Sequence, residues 1–180
     1  GDAFDKAFDL FAKEKSVPLN LFTVNSGSKN QNVVNVAFDI ADCTQSAADF
    51  FIDAGEDSSS TFVFDFSSRN ASEGVFGTRI RVLAGSYAKV HVVTVNMLSS
   101  GFVNFTALGT SNKDGAEVEI TQLELGGGKV FSGSRQLLEG YQSKAFGQQA
   151  YFAKKNAEFD INYIARHTGR DTLSEVRTEG

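Results

Sequence analysis

Residues 157–180 read AEFDINYIARHTGRDTLSEVRTEG, and this stretch decides the fold. Phe159, Ile161, Tyr163 and Ala165 point to one face, and Asp160, Asn162 and Arg166 point to the other. Alternation with a period of two residues predicts a half-buried β-strand. The alternation breaks at residues 168–170 and then resumes, which leaves little room for a crossover helix. We therefore expect a repeating β architecture, with the chain ending inside it.

Three motifs in this chain resemble the SufB/SufD family, the scaffolds of SUF iron–sulfur cluster assembly. The segment RHTGRDTLSEV at residues 166–176 resembles the family's R-H-x-G-x-x-T-x-S-x-V turn. The segment FIDAGEDSS at residues 51–59 resembles an early strand and acidic turn of the family. Residues 120–135 resemble the strand and the glycine-rich corner of its core. The resemblance spans roughly residues 33–180 and implies a right-handed parallel β-helix.

Alternating segments recur along the rest of the chain, with glycine in many of the corners between them. Inward rows are predicted at Phe62/Phe64/Phe66, Thr78/Ile80/Val82, Ala88/Val90/Val92, Val103/Phe105/Ala107 and Val118/Ile120. At Thr121 and Gln122 the phase slips, so that Leu123 and Leu125 continue in the other register, as at a bulge. This rhythm alone fits a hairpin meander as well as a β-helix. The scarcity of tight hairpin turns and the resemblance favour an all-β parallel β-helix over residues 17–180.

Residues 2–14 predict a short amphipathic helix ahead of the β core. Phe4, Ala7, Phe8 and Phe11 follow the spacing of one apolar helix face, and Asp2 is a plausible N-cap. Pro18 makes continuation of the helix unfavourable. We favour a cap of residues 1–16 that covers the open end of the β core, and the alternative is a helix that binds a partner.

Composition and charge narrow the functional classes. The net charge of −5 argues against a nucleic-acid surface, which requires clustered cations. No apolar run reaches the roughly 20 residues that cross a bilayer, so no membrane role is expected. The single cysteine, Cys43, forbids an intramolecular disulfide and is compatible with a cytoplasmic location.

The residues that could carry metal chemistry are few and scattered. Cys43, His91 and His167 are the only soft or borderline ligands, and none has a second ligand at metal-binding spacing. We interpret Cys43 as a small structural thiol, His91 as an exposed residue and His167 as a hydrogen-bonded corner residue. No metal, cofactor or catalytic residue is therefore predicted in this chain.

Carboxylate clusters raise the alternative of a polysaccharide-active or carbohydrate-binding β-helix. The candidates are Asp49, Asp53, Glu56 and Asp57 in one region and Glu117, Glu119 and Glu124 in another. Because Glu117 and Glu119 read as outward-facing and tryptophan is absent, a solvated acidic face is the preferred interpretation. The segment GGGK at residues 126–129 lacks the spacing and the following helix of a phosphate loop, so it predicts a corner.

The resemblance implies a scaffold, SufD-like or merged SufB/SufD-like, with no enzymatic turnover of its own. It implies pairing with a SufB/SufD-type paralogue or a second copy, and an iron–sulfur cluster held transiently in the full assembly. It also implies a SufC-type ATPase bound through the family's C-terminal region. The cluster ligands and that region are expected beyond Gly180, so no residue is assigned to either role. A carbohydrate-active β-helix and an extracellular structural solenoid remain the competing classes.

Overall fold

The computed structural model describes residues 2–40, 45–69, 71–154 and 156–180, with the side chains from Lys6 onward. These residues form one helix and twelve strands. The elements are α1 (Asp2–Glu14), β1 (Leu19–Val24), β2 (Lys29–Asp39), β3 (Gln45–Ala54), β4 (Ser59–Ser67), β5 (Glu73–Ala84), β6 (Lys89–Met97), β7 (Gly101–Asn112), β8 (Glu117–Glu124), β9 (Lys129–Leu138), β10 (Lys144–Tyr151), β11 (Glu158–His167) and β12 (Leu173–Glu179).

The strands form two parallel six-stranded sheets that face each other across one core. Sheet A has the order β1-β3-β5-β7-β9-β11, and sheet B has the order β12-β10-β8-β6-β4-β2. Each coil contributes one strand to each sheet, so the chain winds into a β-solenoid of about 6 turns. The predicted all-β parallel β-helix with a short N-terminal helix is confirmed.

The corner from sheet A to sheet B has the same backbone in successive coils. Asp57, Tyr87, Gln142 and Asp171 occupy it with φ between 52° and 60°, in the left-handed region. The amide N–H of Asp57 donates to the carbonyl of Ser86 at 2.8 Å, and that of Tyr87 donates to Asp114 at 2.8 Å. Backbone hydrogen bonds between coils therefore continue through the corner, which satisfies groups that a loop would leave to water.

Close approach of successive coils accounts for two of the corner glycines. A Cβ on Gly140 would lie 2.1 Å from the backbone nitrogen of Asp114, and one on Gly169 would lie 2.2 Å from the carbonyl oxygen of Gly140. Any larger residue would push these coils apart. The glycine corners that the sequence predicts are thus steric requirements of the stacking.

The first coils have an aromatic interior. Phe50, Phe64, Phe66 and Phe76 are buried, with ring centroids 4.8 Å apart for Phe50–Phe64 and 5.2 Å apart for Phe66–Phe76. The predicted inward rows at Phe62/Phe64/Phe66, Thr78/Ile80/Val82 and Ala88/Val90/Val92 are confirmed, because all of these residues are buried. Phe159 also faces inward, paired with Val130, although it is only half-buried in the last coil.

The later coils have a polar interior, and here two sequence predictions are wrong. β7 buries Phe102, Asn104 and Thr106, and it turns the predicted row of Val103, Phe105 and Ala107 outward. β8 pairs with β6 and β10 without a register shift, so there is no phase slip at residues 121–122. Gln122 and Glu124 point inward and Leu123 points outward. The error arises because the inward face was assumed to be apolar.

Helix α1 contacts the outer face of sheet A. The ring of Phe8 is buried there, 3.6 Å from the position of a Cβ on Gly77, and 4.6 Å separate its centroid from the guanidinium carbon of Arg79. Both partners lie on β5, two strands from the β1 edge of the sheet. The role of residues 1–16 as a cap over the end of the core stays a prediction.

Candidate functional site on the outer face of sheet A

A groove of 480 Å³ runs over the outer face of sheet A, beside the contact of α1. Its floor contains small residues: Ala107 and Gly109 on β7 and Gly133 on β9. A Cβ on Gly109 would meet nothing within 4 Å, so the space above this strand is open. Because outward positions alternate along each strand, small residues at these positions produce a depression in an otherwise covered sheet.

The groove has apolar walls. Phe105 and Phe131 stack on neighbouring strands with centroids 5.0 Å apart and an interplanar angle of 11°. Phe131 retains 39% of its accessible surface, and Ile164 on β11 retains 48%. Exposed apolar area beside a depression is typical of a binding surface.

Three arginines, Arg79, Arg81 and Arg135, line one part of the groove. Arg79 and Asp49 are each only 6% exposed and form a two-point ion pair, with Nη2–Oδ2 at 2.6 Å and Nε–Oδ1 at 3.2 Å. Arg79 Nη1 also donates to Asp9 Oδ1 of α1 at 2.7 Å. Arg81 Nη2 donates to the same Asp49 carboxylate at 3.1 Å. Asp49 therefore holds two cations in place.

Asp49 and Asp9 keep the buried Arg79 side chain protonated. Burial is the largest single influence and lowers the pKa of Arg79, but the hydrogen bonds and charges of Asp49 and Asp9 together raise it above its ordinary value. A guanidinium that keeps its charge while buried is a fixed electrostatic feature of this face. Asp49, which sequence analysis placed in an acidic cluster, thus positions arginines.

A buried titratable side chain, Glu124, lies inside the solenoid. Glu124 on β8 is 2% exposed, and Asn96 Nδ2 donates to its Oε2 at 2.7 Å. Burial raises the pKa of Glu124, and the hydrogen bonds with Asn96 and Ser132 lower it by less. Gln122 Nε2 donates to Ser132 Oγ at 2.9 Å and extends the network to β9. The carboxyl group is enclosed by protein side chains and is not presented to a substrate.

The sequence-predicted ligands do not converge. His91 lies on the outer face of sheet B, where its Nε2 is 3.0 Å from Thr121 Oγ1. His167 is the last residue of β11, before the corner, with Nδ1 2.6 Å from Thr172 Oγ1 and Nε2 2.9 Å from Ser174 Oγ. Cys43 lies outside the described residues. Among the residues that the structure describes, no group of three or more His, Cys, Asp and Glu is placed to hold a metal ion.

Three of the other carboxylates considered for carbohydrate chemistry bind neighbouring side chains on the surface. Glu117 lies 3.5 Å from Lys144 Nζ, and Glu119 accepts a hydrogen bond from Gln148 at 3.1 Å. Asp57 lies 2.7 Å from Lys29 Nζ. Single ion pairs of this kind favour the interpretation as a solvated acidic surface.

The GGGK segment forms a corner between strands. A Cβ on Gly126 would lie 2.3 Å from the carbonyl oxygen of Leu98, and Lys129 begins β9. The ammonium of Lys129 lies 3.2 Å from Glu158. Tight stacking on the preceding coil therefore explains the glycines without a phosphate ligand.

The groove itself was not predicted from sequence. The sequence feature that marks the groove is a set of two glycines and an alanine at outward strand positions. These positions can be recognised as outward only when the register of β7 is known. Because the sequence reading placed Ala107 inside, it could not find the depression.

The fold defines the class of protein: a parallel β-solenoid with a laterally docked helix and, beside it, an apolar groove lined by three arginines. The family model described as SUF system FeS cluster assembly, SufBD core domain, matches residues 37–180. Because the match covers most of the chain, the protein belongs to the SufB/SufD family of SUF-system iron–sulfur cluster assembly. Searches of curated proteins and of solved structures found no match. No helix in the described part of the chain is long and apolar enough to cross a membrane.

Proposed function

We propose that this protein is a scaffold of SUF iron–sulfur cluster assembly, SufD-like or merged SufB/SufD-like, which acts in the cytoplasm by binding partners. The observation that carries the proposal is the SufBD core-domain match over residues 37–180. Family members are assembly scaffolds and not typical enzymes. A solenoid suits this role, because each coil is fixed by its neighbours and holds surface residues at constant spacing.

The end of the solenoid formed by β11 and β12 supports pairing with another scaffold. Ile164, Leu173 and Val176 are 46–50% exposed near this end. Exposed apolar side chains on a protein surface favour contact with a partner. We propose a SufB/SufD-type paralogue or a second copy as the partner.

The iron–sulfur cluster is cargo in this proposal. His91 and His167 lie in different coils and are each hydrogen-bonded to hydroxyl groups, which supports ligands supplied mainly by the partner or by other family segments. A SufC-type ATPase would join through the family's C-terminal region, and we assign it no residue of this chain.

Co-expression tests the proposal. The tagged chain would be produced with the SUF-type ATPase and the SufB/SufD-type paralogue of the same genome, and affinity-purified complexes would be weighed by native mass spectrometry. We expect the paralogue or a second copy to co-purify, and Val176→Lys to reduce its yield by placing a charge at the solenoid end. Glu175→Gln, on an exposed neighbouring position, should leave the yield unchanged.

Sedimentation equilibrium of the chain alone gives the complementary measurement. A single species at 19.4 kDa at all micromolar concentrations, together with no paralogue in the purified material, would contradict pairing through this end. Pairing that survives Val176→Lys unchanged would point to another surface.

A further inference from the structure

We propose that protonation of Glu124 reverses the direction of a hydrogen-bonded chain inside the solenoid and thereby signals the charge of this carboxyl group to β12. The members of the chain are Glu124, Ser132, Gln122, Gln149 and Thr178. This inference concerns the interior of the fold and does not depend on the proposed pairing. It gives a conformational role to a buried acid that the scaffold function leaves without one.

The side chains of this polar chain lie at matching levels of successive coils. Gln122 on β8, Gln149 on β10 and Thr178 on β12 occupy directly paired positions of sheet B. Ser132 on β9 faces this row from sheet A, and Glu124 lies two residues after Gln122 on the same inward face. All but Thr178, at the exposed end of the row, are buried. Buried polar groups of this kind must satisfy one another.

Every hydrogen bond of the chain donates toward the carboxyl group. Thr178 Oγ1 donates to Gln149 Oε1 at 3.4 Å, which is the longest link. Gln149 Nε2 donates to Gln122 Oε1 at 3.0 Å, and Gln122 Nε2 donates to Ser132 Oγ at 2.9 Å. The hydroxyl group of Ser132 in turn donates to Glu124. Because a carboxylate can only accept hydrogen bonds, the ionised form of Glu124 fixes this direction, and aligned donors polarise one another.

The same side chains can form an equally complete chain in the opposite direction when Glu124 is protonated. The new O–H of Glu124 donates to Ser132 Oγ, and the Ser132 O–H donates to Gln122 Oε1 after the amide has made a half-turn. Gln122 Nε2 then donates to Gln149 Oε1, and Gln149 Nε2 donates to Thr178 Oγ1. Without these half-turns the Ser132 hydrogen would lose its acceptor inside the core, which is unfavourable. Amides and hydroxyls both donate and accept, so each member serves in either direction.

The surroundings of Glu124 leave its charge to burial and to neutral donors. Besides Ser132, Asn96 Nδ2 on β6 donates to Glu124 Oε2 at 2.7 Å. The inward positions of β6, β7, β9 and β10 carry one other titratable side chain, Tyr151, whose ring lies against Phe159. The loops at residues 98–100 and 125–128 contain none. The charged and histidine side chains of β6, β8, β9 and β10 at outward positions are Lys89, His91, Glu117, Glu119, Lys129, Arg135 and Lys144.

Burial therefore decides where the switch occurs on the pH scale. It raises the pKa of Glu124 above its ordinary value, and the two donated hydrogen bonds lower it by less. The reversal should thus take place at a higher pH than the titration of an exposed glutamate. Thr178 lies two residues after Val176, so the change in the last link reaches the exposed end of the solenoid.

Nuclear magnetic resonance of the isotope-labelled full chain tests the switch. The carboxyl signal of Glu124 and the side-chain amide signals of Gln122 and Gln149 are followed from about pH 4 to about pH 9. We expect both amide signals to shift with the same midpoint as the carboxyl, because each half-turn gives the N–H groups new acceptors. Both shifts should be lost in Glu124→Gln.

Gln148 is the matched control within the same protein. Its Nε2 donates to Glu119 Oε1 at 3.1 Å on the exposed face of sheet B. Any pH-dependent shift of the Gln148 amide should remain in Glu124→Gln and be lost in Glu119→Gln. The shift of the Gln149 amide should remain in Glu119→Gln.

Interruption of the chain distinguishes a relay from a direct effect of the charge. Ser132→Ala should abolish the shift of the Gln149 amide and raise the midpoint of Glu124 by about half a pH unit, because the carboxylate loses a donor. Gln122→Met interrupts the next link and replaces Ser132→Ala if circular dichroism shows that the latter is unfolded. A Gln149 shift that survives the interruption would overturn the proposal. So would a Glu124 carboxyl that titrates without any response of the Gln149 amide, or one that does not titrate in this range.

Discussion

Asn96 and Glu124 occupy directly paired positions on β6 and β8, and their side chains are joined inside the solenoid by an Nδ2–Oε2 hydrogen bond of 2.7 Å. Both residues are buried, at 3% and 2% exposure. The amide satisfies one carboxyl oxygen, but it brings no positive charge. Burial therefore raises the pKa of Glu124 and favours its protonated form.

Replacement of Glu124 by glutamine should stabilise the protein at neutral and alkaline pH. Because the pKa of Glu124 in the folded state lies above its ordinary value of 4.5, the unfolded chain releases a proton that the folded chain retains. The free energy of unfolding then falls as the pH rises above about 4.5. Glu124→Gln removes this pH-dependent loss of stability. At pH 8 it should raise the free energy of unfolding by on the order of 1–3 kcal/mol.

Urea unfolding at pH 4 and pH 8 measures this effect. At pH 4 the parent carboxyl is already protonated, so the two proteins should differ little. A difference of equal size at both pH values would mean that packing and not ionisation distinguishes them. Glu119→Gln, on the exposed face of the same strand, is the control.

This interior also shows how far sequence could predict the fold. The aromatic rows around Phe64 alternate so regularly that the strands and their inward faces follow from them, whereas the choice of a solenoid over a hairpin meander rested on the family resemblance. Asn104, Gln122 and Glu124 could not be placed inside, because a buried polar side chain is acceptable only when its partner is opposite. For Glu124 and Gln122 a partner lies on another coil: Asn96 is 28 residues from Glu124, and Gln149 is 27 residues from Gln122. The groove over Gly109 was missed for the same reason.

Truncation of the aromatic core should be strongly destabilising. Phe64 has no exposed surface and packs on Phe50 and Phe66. We expect Phe64→Ala to lower the free energy of unfolding by roughly 3–5 kcal/mol, because a cavity replaces the ring. Phe131→Ala is the matched control on the outer face and should cost less. A loss below about 1 kcal/mol for Phe64→Ala would show that this row is not core.

Two glycine-to-alanine substitutions should have opposite signs. Gly140→Ala places a Cβ 2.1 Å from the backbone nitrogen of Asp114, so the corner must open and the melting temperature should fall. Gly109→Ala meets no atom within 4 Å in the middle of β7. Alanine at this position should raise the free energy of unfolding by about 0.5–1 kcal/mol, because glycine weakens a strand through its greater freedom in the unfolded chain. Thermal unfolding of both variants measures this difference. Equal decreases in melting temperature would contradict the steric explanation.

The two carboxylates bound to Arg79 should contribute very unequally. Asp49 is buried with its partner, so Asp49→Asn leaves the buried guanidinium with only the exposed Asp9 carboxylate and should cost about 3–5 kcal/mol. The side chain of Asp9 is 65% exposed, and Asp9→Asn should cost below about 1 kcal/mol and less still in high salt. Trypsin cleavage after Lys13 should nevertheless become faster in Asp9→Asn, because α1 is held less firmly. Chemical denaturation at low and high salt measures the free energy of unfolding of each variant. Similar decreases for Asp49→Asn and Asp9→Asn would argue against a buried ion pair.

The chain alone should hold no stable iron–sulfur cluster. Thiolates are the usual ligands of such clusters, and this sequence has one cysteine, Cys43. His91 and His167 lie on separate coils and are engaged with Thr121, Thr172 and Ser174. Anaerobic reconstitution with iron and sulfide, followed by desalting and absorbance spectroscopy, should therefore leave no stoichiometric charge-transfer band. Cys43→Ser is the decisive variant: a full band in the parent that disappears in this variant would make Cys43 a ligand and would move cluster binding into this domain.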